Sequence, residues 1–126
     1  MTSEITTAVD EIRQAFPNCS VNAEEDGQGG CYITVSGVEI GARYTPQNAS
    51  FSFHIGFQYP RADVYPHYTD VQIKRVDGGG HGAGVSQVIW REKTVLQLSR
   101  RSNRWNPASD TAAIKLAKVV EWFKNL

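Results

Sequence analysis

The chain has 126 residues, 40% of them hydrophobic and 21% charged, with thirteen basic side chains balancing thirteen acidic ones. That length fits one domain, residues 1–126, and the apolar content is that of a folded chain rather than a disordered one. A net charge of zero excludes the general electrostatic attraction that draws proteins to phosphate backbones or anionic membranes, so neither nucleic acid nor membrane is an expected partner and any basic site must be local.

The longest apolar runs fall short of the ~20 residues a membrane helix needs, and residues 1–16 are too polar for a signal-peptide core, so the expected compartment is the cytoplasm. Cys19 and Cys31 are then expected to be free thiols. They show no CxxC spacing, and His54, His67 and His81 do not stand at i, i+4, so no metal site is expected.

In chain order, Ile5, Val9, Ile12 and Phe16 recur at helical spacing and predict an amphipathic helix over about 3–16, capped by Thr2 or Ser3 and stopped by Pro17. Residues 18–30 are polar and glycine-rich and read as a connector, with Cys19 and Val21 able to open a short edge strand. CYITVSGVEI (31–40) and ASFSFHIGF (49–57) alternate as two antiparallel strands, the second turning Phe51, Phe53, Ile55 and Phe57 to one face. Pro60 and Pro66 mark an irregular loop, and DVQIKRV (70–76) reads as the next strand. DGGGHGAG (77–84) holds too much glycine for regular structure. VSQVIW and TVLQLS form a hairpin around REK, SRRSNRWNP is a loop, and Asp110 or Ser109 caps a last helix reaching about Asn125. Its apolar positions are Ala113, Leu116, Ala117, Val120 and Phe123. Strands gathered between two helices predict an α+β fold with both helices on one face of the sheet.

The segment FSFHIGFQYPRADVYP, with Tyr59-Pro60 after a meander strand, and the segment LQLSRRSNRWNP, with Trp105-Asn106-Pro107 ahead of a helix, resemble the ubiquitin-conjugating superfamily. The Ser99-Arg100-Arg101 run and Asp110 look most like its bacterial members called prokaryotic family E. The likeness covers roughly residues 31–126. It implies a UBC-like α+β fold, with a ubiquitin-like modifier and an adenylating, activating enzyme as partners and no cofactor. In that resemblance Tyr59, Pro60 and Pro107 are structural motif residues. The chain departs from the family's enzymes at the nucleophile: no cysteine lies in 77–107, and no His-Pro-Asn supplies an oxyanion donor.

Counting back from Trp105 places the family's nucleophile near Gln97–Ser99, where Ser99 is the nucleophilic side chain. An oxyester on Ser99 requires a base, for which His81 of the glycine loop is the candidate, and a donor to polarise the carbonyl, for which Arg101 is the candidate. Arg100, Arg104 and Trp105 are the candidate binding residues, the guanidinium groups taking a carboxylate through charge-assisted hydrogen bonds. The alternative expectation is a non-catalytic module that holds the modifier, as in superfamily variants without the cysteine.

Overall fold

A computed structural model describes residues 1–126. The chain opens with α1 (Ser3–Ala15), whose N-cap is Thr2, its hydroxyl accepting the Ile5 N–H at 3.2 Å. The helix buries Ile5, Val9 and Ile12 of the expected stripe together with Ala8, while Phe16 lies half-buried just past its end. Phe16 closes it by returning its N–H to Ile12 O, and Pro17 cannot continue the ladder.

Nine residues, Cys31–Glu39, form β2, and it pairs on one side with β1 (Ser20–Glu25) and on the other with β4 (Asn48–Ile55). Strand β1 occupies half of the expected connector. Its half-buried Val21 and Ala23 alternate with exposed Asn22 and Glu24, a pattern the surrounding glycines obscure in the sequence. In β4 the side chains of Ala49, Phe51, Phe53 and Ile55 are buried, whereas Phe57 lies beyond the strand end and is 52% exposed. The expected four-residue face is therefore corrected at its last member, because Gly56 opens a turn before Phe57 can alternate inward.

Two further expectations are corrected. The next strand of the meander, β5, is His67–Asp70, not 70–76. Pro66 lacks a donor only at the residue before the ladder begins, so pairing starts directly after it. Beyond Asp70 the chain turns, and Lys74–Arg75 (β6) pairs instead with Tyr44–Thr45 (β3) in a separate two-stranded ribbon. The hairpin β7 (Val85–Trp90) and β8 (Lys93–Leu98) then joins the main sheet, giving the antiparallel order β1-β2-β4-β5-β8-β7.

The last helix, α2 (Ala112–Lys124), is capped by Thr111, whose hydroxyl accepts the Ile114 N–H, rather than by Ser109 or Asp110. Its buried stripe is Ala112, Lys115, Leu116, Val119 and Phe123, joined by Ala113 and Val120, while the expected Ala117 is exposed. Helices α1 and α2 pack together over the inward side chains Ile33, Val35, Phe51, Phe53 and Leu98 in one hydrophobic core. Each such fully buried side chain contributes roughly 1.5–3 kcal/mol of transfer free energy. The protein is thus α+β, with a helix at each end of an antiparallel sheet. No helix is long and apolar enough to cross a membrane.

Candidate functional site

The loop leaving β4 is fixed to the start of α2 by two polar contacts. The Tyr59 hydroxyl accepts the Ala112 N–H at 3.0 Å, and Trp105 Nε1 donates to Pro60 O at 2.6 Å. The first satisfies a helix N–H that has no carbonyl four residues before it. Burial pushes the Tyr59 phenol pKa up, which keeps it neutral. The Tyr59 and Trp105 rings lie 6.4 Å apart and tilted, so the Tyr-Pro turn and the Trp105 loop form one unit. Exposed Pro107 lines a cleft of about 300 Å³ with Tyr59, Pro60 and α1 residues Thr7 and Glu11.

Beside that unit lies a polar staple built on Lys115, Asp63 and Ser102. Lys115, 4% exposed on the inner stripe of α2, sends its Nζ to both Asp63 carboxylate oxygens at 3.2 and 3.1 Å and to Ser102 Oγ at 2.8 Å. Asp63 also accepts the Ser102 N–H and hydroxyl, each at 3.1 Å. All three ammonium protons thus have a use, as a buried charge requires. The staple ties the Tyr-Pro loop, the arginine loop and α2 together. A signal for Lys115 was present: it shares the i, i+3, i+4, i+7 stripe with Ala112, Leu116 and Val119.

Above the staple, Arg100, Arg101, Ser102, Asn103 and Arg104 face Lys115 and Lys118 across a cavity of about 220 Å³. Its one carboxylate, Asp110, accepts the Asn106 N–H at 2.7 Å. The Arg101 guanidinium rests 4.3 Å over the Tyr65 ring, a cation–π contact that holds the charge in place while leaving its N–H edge free. Cationic donors converging on a small cavity suit an anion with several acceptor oxygens, a carboxylate or phosphate.

Ser99 stands exposed at the end of β8. Its N–H donates to Gly84 O at 2.8 Å, and its Oγ accepts from Gln97 Nε2 at 3.2 Å. His81 faces elsewhere: its Nε2–H donates to Ile73 O at 3.0 Å, and its ring packs near Phe123 and Tyr44. No hydrogen bond joins the two, so the fold does not present an imidazole to the Ser99 hydroxyl. The other histidines differ from solvated ones. His54 Nε2 meets Asp26 Oδ2 at 2.7 Å, and that hydrogen bond is the first reason the Asp26 pKa is lowered. His67 is wholly buried on β5 against Phe53, with both ring nitrogens unpartnered. Burial lowers its pKa to about 3, so it is neutral. Cys31 is buried, and burial raises its thiol to about 11, which makes it inert. Cys19 is half-buried and free.

No family model, curated protein or solved structure matches the chain.

Proposed function

We infer that the domain is a binding module of ubiquitin-conjugating-like type, which positions the C-terminal tail of a ubiquitin-like modifier delivered by an activating enzyme. The observation that supports this reading is the cavity in which Arg100, Arg101, Arg104 and Lys118 converge above the Lys115 staple. A tail ending in a free carboxylate satisfies those donors by paired, charge-assisted hydrogen bonds. The resemblance of the Tyr59-Pro60 and Trp105-Asn106-Pro107 segments to the superfamily supplies the nature of the tail. The non-covalent form is preferred to an oxyester on Ser99, because the one contact of the Ser99 hydroxyl is an amide, and a serine without a base is a weak nucleophile.

The test titrates the protein with a fluorescent, extended, glycine-ended hexapeptide bearing a free carboxylate and with its carboxamide. The free acid binds, the carboxamide binds at least tenfold more weakly, Arg101→Glu abolishes the difference, and Ser99→Ala leaves both affinities unchanged. Equal binding of acid and amide refutes the carboxylate reading. Incubation with activating enzyme, modifier and ATP checks the alternative: a thiol-resistant, hydroxide-labile adduct that disappears in Ser99→Ala overturns the non-covalent form.

A further inference from the structure

The two outer strands of the six-stranded sheet are protected very differently. Strand β1 carries Glu24 and Glu25 at its free edge, the charges by which natural sheets discourage pairing with another chain. Strand β7, VSQVIW, has no charge and no proline, and its Ile89 is 78% exposed. An open edge of that composition is a template for a further strand.

The hydrogen-bond pattern fixes which of its groups are free. Ser99 N donates to Gly84 O, and β7 runs antiparallel to β8 with Val85 opposite Leu98 and Trp90 opposite Lys93. Bonded and non-bonded pairs alternate along such a ladder. Gly84, Ser86, Val88 and Trp90 therefore bond inward to β8, and Val85, Gln87 and Ile89 point their backbone groups outward. The Val85 N–H turns back to Gly82 O at 3.4 Å. That leaves the Val85 carbonyl and both polar groups of Gln87 and Ile89 open to solvent.

We propose that β7 is a homodimerisation edge, pairing antiparallel with β7 of a second copy about a twofold axis at Gln87. The pattern is self-complementary in this register. Gln87 faces Gln87 and exchanges a bond in each direction, and each Ile89 N–H meets the Val85 carbonyl of the other copy. The side chains agree with the backbone. Val85 and Gln87 stand opposite the buried Leu98 and Leu96, so the odd-numbered side chains lie on the helix side of the sheet. Each exposed Ile89 then meets the half-buried Val85 of its mate, an apolar cross-strand pair made twice. Within the paired segments, residues 85–89 of each copy, no like charges oppose one another, and the pairing joins two six-stranded sheets into one. The interface is isologous, as closed dimers require.

Sedimentation equilibrium at about 100 µM, where even weak pairing is populated, reads the mass against the 14.0 kDa chain. Wild type gives twice that mass. Ile89→Lys, which alters a 78% exposed side chain, and Gln87→Pro, which deletes an outward N–H while sparing the bonds to β8, each weaken association at least tenfold. Circular dichroism checks that both variants are folded. The register is read by disulfide trapping in a Cys19→Ser background. With Gln87→Cys the copies sit about 5.5 Å apart and link under mild oxidant, whereas with Ile89→Cys they sit about 14 Å apart and do not. A monomeric wild type overturns the proposal and leaves the edge to another protein's strand. A dimer undiminished by Ile89→Lys, or equal trapping at both positions, overturns it as well.

Discussion

Removing Asp63 exposes how the arginine loop is held. In Asp63→Ala the Lys115 ammonium, 4% exposed, keeps only the Ser102 oxygen as a partner. Breaking one side of a buried ion pair costs 3–5 kcal/mol, and because the Asp63 side chain is 21% exposed the lower end applies, about 3 kcal/mol. Lys115→Met deletes the opposite partner but leaves Asp63 its Ser102 donors and some water, while the thioether chain fills the same space. That change costs less, about 1 kcal/mol, since the carboxylate left behind is 21% exposed and keeps two donors in Ser102, so it is not an uncompensated buried charge. Urea denaturation followed by tryptophan fluorescence measures both. With a slope of about 1.5 kcal/mol per molar for a chain of this size, Asp63→Ala lowers the midpoint by about 2 M and Lys115→Met by less than about 1 M. The double variant recovers most of the loss. Equal costs for the two single changes, or a loss below about 1 kcal/mol for Asp63→Ala, refute the assignment of the pair as a buried staple.

Stability depends on pH through His67. Its folded pKa, lowered to about 3 by burial, lies below the unfolded value of about 6.5, so the unfolded chain binds the proton first and stability falls as pH drops through 6.5. Between pH 7 and pH 5 the loss is about 2 kcal/mol. Urea midpoints at both values measure it, and His67→Leu removes that step. Thr111→Ala lowers stability by about 1 kcal/mol through loss of the α2 cap, read by thermal unfolding. Tyr59→Phe strands the buried Ala112 N–H and costs about 1–3 kcal/mol, with faster amide exchange at Ala112 as the site-specific signal.

Periodicity alone was sufficient for α1, for β2 and for β4 as far as Ile55, because each has one face on the core and its apolar residues keep the element's own period. The hairpin was legible instead from its β-branched runs around the charged turn REK, with only Leu96 and Leu98 of β8 reaching the core. Periodicity failed where burial depends on distant partners. The run 70–76 alternates as a strand should, yet Val71 is 36% exposed and Ile73 is buried in a turn, while the real strand hides behind Pro66. Lys115 and Asp63 look solvated in the sequence because charged residues usually are. Their pairing becomes visible only once residues 52 apart in the chain meet. The arginine run was legible as a cluster, but the cavity it encloses comes from Lys118 and from the staple beneath it.

The hairpin tip has a consequence for what can reach the sheet from its helix-free side. Trp90 stacks on Tyr68 with ring centroids 4.1 Å apart, and Arg91 lies 3.8 Å over Tyr32 while gripping Glu24 at 3.1 Å. Arg91 and Glu92 both hold left-handed backbone, φ 50° and 67°, so the bend draws its permanence from those grips rather than from local preference. A roof therefore spans the strands from one border to the other. Beneath it runs a slot floored by the hydroxyls of Thr34, Ser36, Ser50 and Ser52. A flat macromolecule cannot dock on that side without first prising the indole away, and a change in Trp90 emission would announce its arrival.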